Sequence, residues 1–225
     1  MTSVYYPTLK NSVRNILLVR HFESVKNIMD CHGGLGYALT KKGISQLNDV
    51  VIVLNNLIKN MPDSSLHHSP SIQVAETAAL ISSRYGICPI EHMELKSAYL
   101  GPLDAISNKQ ANDMFPDAYR LMSLWRERKI EIHSLSNIGI ENPESFWNRV
   151  ALVISSLHTE LNIIVCSTSI MILLAHMLRG VSYLPGNGYL HIPISNGQTI
   201  DFDLVHGKPI INEVYTSKNL VEYLK

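Results

Sequence analysis

The chain has few cysteines, no excess charge of either sign and no long apolar run. Its three cysteines, Cys31, Cys88 and Cys166, lie far apart with no Cys-x-x-Cys pair among them. Neither a disulfide framework nor a zinc site is indicated, and the usage fits a reducing compartment. Nineteen basic side chains balance nineteen acidic ones without any Lys/Arg cluster, which argues against nucleic acid or an anionic membrane as partner. No apolar stretch reaches the roughly eighteen residues that cross a bilayer, and the amino-terminal segment lacks the apolar core of a secretory signal. Repeats, low-complexity tracts and linkers are absent as well. The expectation is a soluble, cytoplasmic protein with a small-molecule ligand, phosphorylated or not, and no metal or other cofactor. A homodimer or a protein partner is compatible with the sequence.

What is present suffices for one core. At 225 residues and 46% hydrophobic, the chain can fold as a single domain over residues 1–225. Residues 15–19 form a short continuous apolar run, the pattern of a strand buried on both faces. After Thr40, a plausible N-cap, Ile44, Leu47, Val51, Leu54 and Leu57 fall at helical spacing. A brief strand over 66–68 precedes Ser69-Pro70, which starts a helix that ends at Gly86. Residues 108–129 and 144–160 read as two further helices, and 162–166 as a buried strand running into another apolar helix. Residues 191–204 alternate around Asn196-Gly197, which predicts a closing hairpin. Alternating strands and helices predict an α/β fold, a three-layer sandwich around a mostly parallel sheet.

Ligands of such sheets bind beyond the carboxyl ends of the strands. The first strand ends in Arg20-His21, the second in His68-Ser69-Pro70, and the late one in Cys166, Ser167, Thr168 and Ser169. Arginine next to histidine suits a phosphate: guanidinium forks onto its oxygens, and a neutral imidazole nitrogen can attack phosphorus.

At this point the sequence resembles a known family. L-V-R-H-F-E-S-V-K-N is similar to the L-V-R-H-G-E-S-x-x-N signature of the histidine phosphatase superfamily, the phosphoglycerate-mutase-like proteins. A-L-T-K-K-G-I-S-Q-L, S-P-S-I-Q-V-A-E-T-A, N-P-E-S-F-W-N-R-V, V-C-S-T-S-I-M-I-L-L-A-H-M-L-R-G and I-S-N-G-Q resemble further family segments, in family order, over about residues 15–204. The resemblance implies the phosphoglycerate-mutase-like fold, with a helical, cap-like insertion around 108–147. It also implies a cage of two Arg and two His around a transferable phosphoryl group, with a nearby acid.

Carried over residue by residue, Arg20 takes the first arginine position and His21 that of the nucleophile. Gln73 stands where the second arginine belongs, and Ser167 where the second histidine belongs. Leu95-Lys96-Ser97 replaces the usual acid, which leaves Asp104 as candidate proton donor. Phe22 fills a glycine position, so that its ring is expected beside the ligand. Glu23 and Asn27 match the signature as braces of the loop after His21, with Asn27 also a ligand-contact candidate. His68, with His67 and His32 nearby, is a candidate to replace lost charge, and Ser97 and Thr168 complete the predicted lining. One of Arg120, Arg126 and Arg128 would meet an anionic substrate, whereas His176 reads as a packed helix residue.

Three readings of function follow. A degenerate site makes the protein a catalytically silent or very weak relative, a pseudoenzyme binding a small ligand or a partner. Alternatively it is a phosphomonoesterase working through phospho-His21 with Asp104 as acid. In the third reading it is a repurposed hydrolase or transferase that uses His21 with Ser167 for hydrolysis, acyl transfer or proton transfer.

Overall fold

A computed structural model of the chain describes residues 4–127, 129, 135, 137–180, 194–205 and 208–211. Strand β1 (Asn15–Arg20) is followed by the one-turn helix α1 (Val25–Ile28), then α2 (Lys41–Ser45), α3 (Leu47–Asn60), β2 (Ser64–His68), α4 (Ile72–Tyr85) and β3 (Pro89–Glu91). Two single 3₁₀ turns, Met93–Leu95 and Gly101–Leu103, lead to α5 (Asn108–Met114) and α6 (Pro116–Arg126). The remaining elements are α7 (Pro143–Ser156), β4 (Leu161–Cys166), α8 (Thr168–Leu178), β5 (Thr199–Val205) and β6 (Lys208–Ile211).

The strands form one sheet in the order β3-β2-β4-β1-β5-β6, of which the first four are mutually parallel. β5 runs antiparallel to β1, and β6 antiparallel to β5. The continuous apolar runs of β1 and β4 follow from this placement, since both strands are interior and covered on both faces. Register sorts their side chains between two layers. Leu17, Val19, Leu66, Ile163 and Val165 pack with Val50, Val53 and Leu54 of α3 and Val74, Ala78 and Ile81 of α4. On the other face, Ile16, Leu18, Ile164 and Cys166 pack with Trp125 of α6, Phe146 and Val150 of α7 and Ile172 of α8. Each fully buried Leu, Ile, Val or Phe contributes about 1.5–3 kcal/mol, so the two interior strands anchor both cores. The result is the predicted three-layer α/β sandwich.

Two local expectations need correction. The segment 108–129 holds two helices, because Pro116 has no N–H to give and disfavours helical backbone at Phe115, where φ is −137° and ψ 56°. The helix after Thr40 is likewise two, α2 and α3, joined at Gln46, although Thr40 caps it as predicted by accepting from the Gly43 N–H at 2.9 Å. The second limb of the predicted closing hairpin is strand β5, which pairs antiparallel with β1 and β6. Residues 191–193 of the predicted first limb lie outside the described residues. No helix among the described residues is long and apolar enough to cross a membrane.

Candidate active site

Three neighbouring parallel strands, β2, β4 and β1, end together. Arg20 is paired with Cys166 and Val19 with Val165, which is in turn paired with His68. The His21 N–H donates to the Cys166 carbonyl at 3.0 Å. Ser167 therefore follows the residue that holds the His21 backbone, one strand spacing away, about 4.8 Å.

His21 is buried, and its imidazole is pushed down to about 3 by burial, with the Arg20 charge adding to the effect. It is thus neutral at physiological pH. Its Nδ1 lies 2.8 Å from the Phe22 carbonyl. A carbonyl can only accept, so Nδ1 carries the proton and Nε2 keeps a lone pair, the requirement for a nucleophile or base. The Asn196 amide secures this arrangement by donating to the His21 carbonyl at 3.0 Å and to Asn27 Oδ1 at 3.2 Å. Gln46 Nε2 in turn donates to the Asn196 carbonyl at 3.0 Å.

Arg20 supplies the charge. Its Nε is buried with no hydrogen-bond partner, and no carboxylate pairs with its guanidinium among the described residues. Burial lowers its pKa to about 10, which leaves it a cation. Its register neighbour Cys166 offers no counter-charge, because burial pushes that thiol far up and keeps it protonated.

The replaced positions behave differently from one another. Ser97 donates to Ser167 Oγ at 2.8 Å, and Ser169 Oγ lies 3.3 Å beyond, so a short run of hydroxyls occupies the end of β4 beside Thr168, the first residue of α8. Gln73 is engaged by a loop: its Oε1 accepts from the Tyr37 N–H at 3.1 Å. The loop over 31–37 crowds this amide so closely that a Cβ on Gly36, whose φ is +95°, would lie 1.9 Å from Oε1. Asp104 holds the same loop, accepting from the Gly34 N–H at 2.9 Å, and its carboxylate fills the space where a Cβ on Gly33 would sit.

Several of the expected site residues have partners within the protein. The Phe22 ring, expected beside the ligand, is fully buried in the core formed with α3 and α4. Glu23 accepts from Thr40 Oγ1 at 2.9 Å and pairs with Lys42 at 2.8 Å, which lower its pKa. Asn27 Oδ1 accepts from the Ser24 N–H and hydroxyl, both at 3.0 Å, closing the start of α1. His68 donates from Nδ1 to the Ser69 carbonyl at 2.9 Å, the same arrangement as at His21. His67 takes the opposite face, between Ser65 at 2.7 Å and His92 at 2.9 Å. His32 joins the loop to Asn108 at 2.8 Å, and His176 is buried in α8. Arg120 is exposed on α6, whereas the Arg126 side chain and Arg128 lie outside the described residues.

One residue escaped the sequence reading. Lys26 on α1 is half-buried; its ammonium donates to the Gly33 carbonyl and lies within electrostatic reach of Asp104, Cys31 and His21. The available signal was a cation five residues past the candidate nucleophile. Among the described residues, no group of three or more His, Cys, Asp or Glu is placed to hold a metal ion.

Comparison with known proteins bears on this geometry. The family model described as histidine phosphatase superfamily (branch 1) matches residues 16–216. No curated protein matches the chain. Among solved structures, the alpha-ribazole phosphatase from Shigella flexneri is 20% identical, with a TM-score of 0.72 over 90% of this chain and 96% of its own. A mycobacterial glucosyl-3-phosphoglycerate phosphatase complexed with VO3 is 17% identical, with a TM-score of 0.69 over 91% of this chain and 100% of its own. Bacillus stearothermophilus YhfR gives 16%, 0.69, 92% and 98% respectively. At these identities the structures speak for the fold, and the family match over residues 16–216 for descent: the chain belongs to the histidine phosphatase superfamily.

Proposed function

We propose that the protein binds a small ligand through an oxyanion, a phosphate ester foremost, and turns it over very slowly or not at all. The observation that carries this reading is the contrast between Arg20 and Gln73. The first is a half-buried cation with an unpartnered Nε, whereas the second has its amide oxygen committed to a loop N–H. Half of the expected clamp persists, and the other half has become part of the scaffold. A mycobacterial neighbour complexed with VO3 supports an oxyanion as a ligand of this fold.

In a complete reaction, His21 Nε2 would attack phosphorus, forming an N–P bond as the P–O bond to the leaving group breaks. Asp104 would protonate the departing oxygen, and water would then hydrolyse phospho-His21. The first requirement is met, since the tautomer presents Nε2. Stabilisation of the transition-state charge is not, because one preorganised donor is worth about 2.7–4 kcal/mol, or 10²–10³ in rate, and two are replaced. The repurposed reading lacks a supporting observation: Ser167 bonds to Ser97 and Ser169 and not to an imidazole.

The test combines binding with turnover. Inorganic phosphate is expected to bind wild type and not Arg20→Gln, as measured by calorimetry, while hydrolysis of p-nitrophenyl phosphate runs at least about 10³-fold below an ordinary enzyme near 10 s⁻¹. Any residual rate should vanish in His21→Ala. Turnover at the ordinary level would overturn the reading.

A further inference from the structure

We propose that this site selects a singly charged oxyanion, such as a phosphodiester, over the dianion of a phosphomonoester. The proposal rests on the oxyanion-binding reading above and specifies the charge state of its ligand.

Net positive charge is scarce among the described residues at the strand ends. Arg20 is the one cation without a counter-charge. His21 is neutral, with its Nδ1 proton on the Phe22 carbonyl. Lys26 brings a second positive charge, but both it and Asp104 are fastened to the turn at Gly33 and Gly34, so those two charges offset each other. Apart from the His68 imidazole, whose Nδ1 proton is on the Ser69 carbonyl, the remaining groups counted are hydroxyls. Ser97, Ser167 and Ser169 form a run, and Ser69 Oγ is buried at the end of β2 without a hydrogen-bond partner. Hydroxyls donate to an oxyanion without adding charge. A monoanion is balanced by Arg20 and solvated by these groups. A dianion brought into the same place leaves one charge uncompensated in a desolvated setting, which is strongly unfavourable. Phe22 does not oppose a ligand with a second ester arm, since its ring lies in the core.

Methyl phosphate and dimethyl phosphate are the probes, titrated by calorimetry between pH 5.5 and 8. A phosphomonoester loses its second proton near pH 6, whereas the diester stays a monoanion throughout. The charged or titratable groups facing the site are Arg20, His21 and Lys26, Asp104 before α5, Cys166 on β4 and His68 on β2. Dimethyl phosphate, whose own charge is constant, reports any change of charge in the protein separately. Methyl phosphate is expected to bind about 50-fold more weakly at pH 8 than at pH 6, following its monoanion fraction, while dimethyl phosphate holds constant and Arg20→Gln abolishes both. Affinity for methyl phosphate that rises with pH overturns the proposal and leaves the oxyanion reading intact. Parallel loss of both ligands also overturns it, by assigning the pH dependence to the protein. If neither ligand binds at any pH, the proposal and the reading beneath it fall together.

Discussion

A buried guanidinium nitrogen without an acceptor, such as Arg20 Nε, lowers the stability of the empty protein by about 1–3 kcal/mol. Arg20→Gln should therefore raise the urea midpoint of the ligand-free protein while it removes the stabilisation by phosphate. A variant less stable than wild type without ligand would show that Arg20 has a structural partner. His21 gives a second expectation at this scale. Its folded pKa of about 3 lies below the ordinary 6.5, so the unfolded chain takes up the proton first. The associated stability is complete above pH 6.5 and is lost as pH falls from there toward 3, with a limiting slope of about 1.4 kcal/mol per pH unit. His67, held down to about 4 by burial and by His92, acts in the same direction. His21→Asn should flatten the decline of the urea midpoint between pH 6.5 and 4, and an unchanged slope would contradict a neutral buried imidazole.

The loop over 31–37 is the element that separates this site from a fully charged cage. It is fixed by Gln73 at Tyr37, by Asp104 at Gly34 and by Lys26 at Gly33. Gly36→Ala would put a methyl into the Gln73 amide at a φ that side chains rarely adopt, and should destabilise the protein by about 1–3 kcal/mol, measured by urea unfolding. The double variant Gln73→Arg with Ser167→His is expected to fold but to stay far below ordinary phosphatase turnover. An arginine at 73 loses the Tyr37 bond and meets the crowded Gly36 turn before it reaches the ligand. Robust p-nitrophenyl phosphate hydrolysis by that variant would show that only charge was missing. This distinction was invisible in the sequence, where Gln73 reads as a lost cation and not as a bond to a loop. The burial of Phe22 was not legible for a related reason: adjacency to His21 says nothing about direction, and the turn after β1 sends successive side chains to different layers. The strands were legible because β1 and β4 carry continuous apolar runs, over residues 16–19 and 163–166, and their ends located Arg20, His21 and Ser167 together. Lys26 was not, because its role depends on Gly33 and Asp104, which the fold brings to it from elsewhere in the chain.

At the scale of the whole molecule, the site joins segments from both ends of the chain, with Asn196 bound to His21 and Asn27 across more than 160 residues. Asn196→Ala should loosen the carbonyl of His21 and the start of α1 together. Phosphate affinity should therefore fall more than global stability does, a difference that calorimetry and urea unfolding resolve. A wider consequence follows from the position of β1 between β4 and β5. β1 is an interior strand, and both of its neighbours, β4 and β5, are made long after it. At synthesis rates of about 5–20 residues per second, the apolar segment Ile16–Val19 waits roughly 10–40 s before Thr199–Phe202 can seal its second edge. Until then it has the properties of an open strand edge, prone to pair with another nascent chain. Newly made protein should accordingly depend on holding chaperones far more than the finished fold does on refolding from urea. Premature termination near residue 194 should give aggregate and no soluble fragment.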